Sequence, residues 1–351
     1  MADADGLRQA AERKGLSFGT AVNITSFRTD PLYRRAVQRE CGIVVPENEM
    51  KWEYVEPKPG QVTHLGGDEI RDAARADGQR LRGTTLVWHR GMPDWVLAKI
   101  TRASGERLMR DWIGRIAGRY RGQIESWDTV NEIVDLTGGR SDGLRVTPWL
   151  AALGPGYVDL AFHTLREVDP KAAGLWNEDD VCLGADWMEA RRTAVLRLLE
   201  TFLARGVPIR RFGLQSHLNS LVPLDETALR RFLARLAGLG LAVEITELDI
   251  DDRAFPADVA ARDRAVADLA RRYLDVVLDE PAVLNVLTWD IVDMNTWLNE
   301  SDRRRPDGLP QRSLPLDGAY RRKPLWSAIR DAFAGAPDHG AARARARARA
   351  A

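Results

Sequence analysis

The chain has 351 residues, 44% hydrophobic, and its 51 lysines and arginines match its 51 aspartates and glutamates. Length allows one large core, and the charge balance argues against a nucleic acid or an anionic membrane as partner. Cys41 and Cys182 lie far apart with no metal-ligand spacing, so they read as buried thiols and no metal site is expected.

In chain order, residues 1–14 are polar and lack the apolar run of roughly 7–15 residues that an export signal needs. As written, the chain is expected in the cytoplasm, or secreted or periplasmic if an upstream export segment precedes it. No stretch approaches the ~20 apolar residues of a membrane span, so a soluble protein is expected. Eight short apolar runs follow, each succeeded by a longer stretch of helical periodicity. They are FGTAVN ending at Asn23, GIVVPEN ending at Asn48, LRGTTLVWH ending at His89 and IESWDTVNE ending at Glu132. AAGLWNED around Asn177, RRFGLQSH ending at His217, LAVEITELD ending at Asp249 and AVLNVLTWD ending at Asp290 complete the set. Apolar spacing of three and four predicts outer helices over residues 105–120, 187–205, 227–239 and 260–278.

Strands alternating with helices imply a parallel sheet, and eight such units in about 300 residues favour a closed α/β architecture, the (β/α)8 TIM barrel. No GxGxxG or P-loop spacing supports an open sheet. The reading is a single catalytic barrel over residues 1–335, followed by a disordered Ala/Arg-rich tail over residues 336–351. Asn23, Asn48, His89, Glu132, Gln215, Glu247 and Trp289 fall at predicted C-terminal strand ends, the face on which such barrels carry their active sites. One polar strand end has the bland explanation that strands stop at polar loops; seven of eight do not.

Hydrolysis of a glycosidic bond needs a carboxylic acid to protonate the leaving oxygen and a carboxylate across the anomeric carbon, about 5–5.5 Å away in retaining enzymes. Glu132 and Glu247 form the best pair, since each closes an apolar run where partial desolvation can tune its protonation. Either alone would read as a solvated or ion-paired residue. His217, two residues beyond Gln215 on the same expected strand face, is placed to bind Glu247, and Asp249 to orient His217 in turn.

The motifs VVPENEMKWEYVEPKPGQ from Val44, RGTTLVWH from Arg82, WDTVNE from Trp127, QSHL from Gln215, ITELDI from Ile245 and LTWDIVDMNTW from Leu287 together resemble glycoside hydrolase family 10, chiefly endo-β-1,4-xylanases, over roughly residues 7–333. The resemblance implies a retaining xylanase without cofactor, with Glu132 as acid/base and Glu247 as nucleophile. It further implies that Glu47, Asn48, Lys51 and His89 hold the two sugars on the non-reducing side, and that Asn131 bonds the sugar 2-hydroxyl. Gln215 and His217 would support the nucleophile, while Trp289 and Trp297 would form the floor and wall of that cleft and exclude the hydroxymethyl group of glucose. Trp52, Trp88 and Trp127 are assigned to the core. The expected partner is xylan or a xylo-oligosaccharide, and a monomer is expected.

Two departures stand out. The stretch NEDD at residues 177–180 replaces the family's usual Asn-Asp-Tyr-Asn, which puts an aspartate, Asp179, where an aromatic ring would stack on a leaving-group sugar; Thr84 replaces a usual histidine. The Gly-rich stretch over residues 134–149 is expected to form a loop beside the acid/base. The rival substrate on the same site is a β-1,4-glucan or an aryl glycoside. A non-catalytic carbohydrate-binding barrel would be expected to lack one of the two glutamates, and a phosphate-binding barrel would not carry the acidic TELDIDD and TWDIVD after its last strands.

Overall fold

The computed structural model describes residues 5–300 and 302–348. Nine strands form one parallel assembly: β1 Ser17–Val22, β2 Ile43–Pro46, β3 Arg80–Gly83, β4 Ile124–Asn131, β5 Ala173–Glu178, β6 Arg211–Leu214, β7 His217–Asn219, β8 Ala242–Asp251 and β9 Val283–Thr288. Each of β1 to β5 pairs with the next, β6 pairs with β8, β8 with β9, and β9 returns to β1 through Ser17 opposite Asn285. Eight of the nine strands thus close a (β/α)8 barrel, the parallel sheet that alternating elements imply. The four outer helices expected from periodicity appear as Gly105–Arg119, Asp186–Ala204, Glu226–Gly238 and Val259–Leu278. Their apolar stripes and the outward faces of the strands form one continuous buried cluster around the ring.

The ninth strand arises where the sixth run breaks. Ser216 takes a left-handed backbone at φ 65°, so the run expected to end at His217 splits into β6 and β7. The latter pairs with the far end of β8, His217 opposite Asp249. β8 accordingly runs beyond Glu247 instead of ending near it, and its register against β9 shifts between Ile245 and Leu248. Irregularities of this kind re-aim side chains beside active sites. β3 in turn stops at Gly83, well short of His89; Val87 keeps only an isolated bridge to Val130.

The lower half of the barrel interior is ionic. Arg82, wholly buried, donates to Glu244 at 3.0 Å and pairs with Asp128; Arg211 pairs with Glu244 and reaches Glu125 at 3.1 Å. Thr84, at the position that departs from the family, lies buried with its hydroxyl facing Asp128. A Cβ on Gly213 would fall 2.4 Å from the Asn177 amide oxygen, so glycine in β6 leaves room for that side chain at the barrel mouth.

The tail corrects the expectation of disorder. Gly340–Ala348 is helical, and the buried His339 before it faces the carbonyls of Val283 at 2.8 Å and Leu278 at 3.0 Å. Arg343 donates to the carbonyls of Gly15 and Leu284. The alternating Ala/Arg composition reads as low in complexity, yet it supplies strong helix formers, and packing at the open end of the barrel gives them a surface. Residues 349–351 lie outside the described residues. Both cysteines are buried and free, and among the described residues no helix is long and apolar enough to cross a membrane.

Candidate active site

Glu132 follows the last residue of β4 with a left-handed backbone, φ 53°, a conformation costly for a residue with a Cβ and persistent only where surroundings fix it. Its N–H donates to the Asn177 carbonyl, and the following N–H, of Ile133, donates to the Glu178 carboxylate, which turns the Glu132 side chain over the barrel mouth. There the carboxylate accepts from Trp88 Nε1 and from Gln215 Nε2, both at 3.0 Å. Burial, then the negative charge of Asp179, push its pKa above the ordinary carboxylate range, against the lowering by these two donors. A raised pKa suits a carboxyl group that is to give up a proton to a leaving oxygen.

Glu247 sits in the opposite environment. Its carboxylate accepts from Asn177 Nδ2 at 2.7 Å and lies 3.2 Å from His217 Nε2. The other ring nitrogen of His217 is 2.9 Å from Asp249, and Asp249 in turn accepts from Trp297 Nε1 at 2.7 Å. Burial alone would lower the pKa of His217, but the charge of Asp249 and the bonds to both carboxylates raise it to about 10. The ring is therefore an imidazolium that donates to both carboxylates, Asp249 and Glu247. The two carboxylates thus sit in different surroundings: burial and Asp179 raise the pKa of Glu132, while Glu247 faces the Asn177 amide and the His217 ring.

The side of β1 to β3 carries the polar set. Glu47 accepts from Asn23 Nδ2 at 2.9 Å, and Lys51 donates to Asn48 Oδ1 at 2.8 Å. The Lys51 ammonium also stands 5.4 Å from the Trp88 ring and 5.8 Å from the Trp289 ring. His89 lies 3.9 Å from the Glu132 carboxylate, and burial with the charges of Arg145 and Arg90 holds its pKa down to about 4, so it is neutral. The Asn131 amide is 3.2 Å from both Trp88 Nε1 and Gln215 Nε2. Trp289 and Trp297 are both half-buried, the first resting on Ala21, Val45 and Leu287, the second against the His217 ring at 5.1 Å.

The loop between these two indoles is fixed from below. Asp290, buried at φ 71°, accepts from the Val292 N–H, from Tyr33 Oη at 3.0 Å and from Asn295 Nδ2 at 2.9 Å. On the opposite side of the mouth, Asp179 pairs with Arg191, which also donates to Glu178 at 2.9 Å. The loop over residues 133–147 borders Glu132, as expected, and Arg145 Nε donates to the Glu132 carbonyl at 2.7 Å. Among the described residues no group of three or more histidine, cysteine or acidic side chains is placed to hold a metal ion.

Every site residue expected from sequence thus lies at this end of the barrel, but not all by the route expected. Gln215 and His217 flank the break at Ser216 instead of sharing one strand face; the first serves Glu132, the second Glu247. Sequence reasoning also missed Asn177 and Trp88. Asn177 follows Trp176 in a strand buried throughout and looked like an ordinary strand end; its signal was the glycine opposite it, Gly213. Trp88, expected in the core, is only half-buried, and its N–H bonds the Glu132 carboxylate. Trp52 and Trp127 are buried as expected, Trp52 stacked on Trp112 at 4.6 Å.

A carboxylate pair at a barrel mouth is found in many glycosidases, and comparison with known families decides among them. The model of glycosyl hydrolase family 10 matches residues 6–332. The chain belongs to that family. The hydrolase is 31% identical over 335 residues to endo-1,4-beta-xylanase 1 of Humicola insolens, covering 93% of this chain and 74% of that one. It is 27% identical to endo-1,4-beta-xylanase B of Thermotoga neapolitana, covering 93% and 90%. Among solved structures it is similar to xylanase 10B of Thermotoga maritima, with a TM-score of 0.85 and 27% identity over 94% of this chain and 98% of that one. It is also similar to xylanase 10B of Thermotoga petrophila in complex with xylobiose, with a TM-score of 0.84 and 27% identity over 94% and 97%.

Proposed function

We propose that the hydrolase is a retaining endo-β-1,4-xylanase acting on xylan or xylo-oligosaccharides. The observation that carries the reading is the opposed state of the two carboxylates: Glu132 raised by burial and by Asp179, Glu247 bonded to Asn177 and to the His217 imidazolium. In the first step Glu247 attacks the anomeric carbon while the glycosidic C–O bond breaks and the leaving oxygen takes the proton of Glu132. In the second, water attacks the same carbon and displaces Glu247, and its proton returns to Glu132. Two inversions retain the configuration. The chemistry needs no cofactor.

Glu47, Asn48, Lys51 and His89 supply hydrogen bonds to the glycone sugars, and Asn131, buried beside Glu132, the bond to the 2-hydroxyl. Trp289 and Trp297 offer flat apolar faces of the size a pyranose covers. Xylanases among the relatives, and a relative bound to xylobiose, support xylose units as the sugars held there.

The test is reducing-sugar release and product sizing on unsubstituted β-1,4-xylan beside soluble cellulose. Xylan is expected to be cut to short oligosaccharides, and Glu247→Ala to lower the rate on the order of 10^4-fold or more while leaving a folded protein. A faster rate on cellulose would sink the substrate reading, and near-native activity of the variant would sink the nucleophile.

A further inference from the structure

The acid/base has an acidic neighbour that its own strand does not supply. Asn131 of β4 stands opposite Asn177 of β5, so the residues that follow these two asparagines, Glu132 and Ile133 on one side, Glu178 and Asp179 on the other, leave the barrel side by side. The bonds from Glu132 N–H to Asn177 and from Ile133 N–H to the Glu178 carboxylate lock the two loops together. Asp179 is then held in place by Arg191, and its side chain remains about a quarter exposed toward the open side of the mouth. Arg191 contacts both Asp179 and the fully buried Glu178, and burial with the charge of Asp179 pushes the pKa of Glu178 well above the ordinary carboxylate range.

We propose that Asp179 is a positioning residue for the leaving-group step: its carboxylate, held beside Glu132 by Arg191, favours the protonated acid from which the departing sugar takes its proton. The inference rests on the hydrolase reading above and assigns a role to the position where this chain lacks an aromatic ring. A ring there would stack on the leaving sugar; a carboxylate cannot, and acts on Glu132 through charge instead.

The other charges around Glu132 do not substitute for it. From the β3 side His89 is neutral, and Lys51 pairs with the rings of Trp88 and Trp289. From its own loop Arg145, which lies 3.5 Å from Asp135, brings positive charge and works in the opposite sense. From β5, Asp180 is half-buried beyond Asp179. From β6 Gln215 is uncharged, and from β8 Glu247 adds a smaller repulsion, offset by His217 at 3.2 Å. Asp179 is the largest charge acting on Glu132 after burial itself, and it acts on His89 as well.

The experiment compares wild type with two neutral variants, Asp179→Asn and Asp179→Ser, and with the charge-keeping Asp179→Glu. Thermal melting checks the fold, and two readouts follow: the pH profile of kcat/KM on xylotetraose, and the carbon-13 NMR titration of Glu132, which needs no substrate. Removing a like charge stabilises the ionised acid, so the upper midpoint of the profile and the NMR midpoint should both fall by about half a unit to one unit in the neutral variants and stay put in Asp179→Glu. An unchanged Glu132 midpoint in a folded neutral variant overturns the proposal. A wild type inactive on xylotetraose whose NMR midpoint still moves with the charge at 179 would support this role of Asp179 and defeat the substrate reading alone.

Discussion

At the scale of single residues, His217 shows how a site fixes protonation. Both ring nitrogens face carboxylates, Asp249 at 2.9 Å and Glu247 at 3.2 Å. Its pKa of about 10 lies above the unperturbed 6.5, so the stabilisation from the charged ring is fully present below that unfolded value and is lost as pH rises through about 10. The melting temperature of the wild type should fall between those limits, and His217→Gln should flatten that part of the curve; an unchanged slope would contradict the imidazolium. In the same variant Glu247 loses a charged donor. The rate on xylan should drop by roughly 10²-fold or more, mainly in kcat, because that donor holds the attacking carboxylate in place. Asp128 makes the converse point: despite Arg82 beside it, complete burial raises its pKa to about 6.

Individual elements place these residues with more irregularity than the barrel itself needs. The left-handed backbones at Glu132, Ser216 and Asp290 lie just after or between strands at the barrel mouth, where each redirects the chain into a loop that carries site residues. At the other end, the helix Gly340–Ala348 is a short element held by a few directed bonds. His339 is its anchor. Replacing it by Ala leaves the Val283 and Leu278 carbonyls without their ring partner, and unfolding by urea should show a loss of about 1–3 kcal/mol. The rate on xylan should not change, because those carbonyls lie at the end of the barrel opposite Glu132 and Glu247.

For the molecule as a whole, the ionic interior sets the conditions under which the barrel closes. Arg82 joins Asp128 of β4 to Glu244 of β8 across the interior, and Arg211 joins Glu244 to Glu125. Arg82→Met keeps much of the volume but strands Asp128 in a dry core and leaves Glu244 with Arg211 as its one arginine partner, and denaturant unfolding near neutral pH should show a loss of about 3–5 kcal/mol. Acid should act on the same network. Although burial opposes it, Arg80 and Arg211 draw the pKa of Glu125 down to about 2, so its contribution is present above the usual carboxylate range and lost as pH falls toward that value.

The sequence by itself determined the ring of alternating elements, because apolar periodicity is local and survives without tertiary context. It also located both glutamates, since motifs such as WDTVNE and ITELD carry them at fixed distances from apolar runs. The tertiary structure alone decided what surrounds those glutamates. The environment that tunes each carboxylate comes from residues in β5 and just beyond β3 and β6 that lie dozens of residues away, among them Asn177, Trp88 and Gln215. The split of the sixth run at Ser216 was equally invisible, because the backbone turns there to satisfy pairing with β8. The tail helix likewise depends on a docking surface that composition does not display. Periodicity reports which face of an element is buried, whereas contacts across the barrel mouth exist only once the ring has closed.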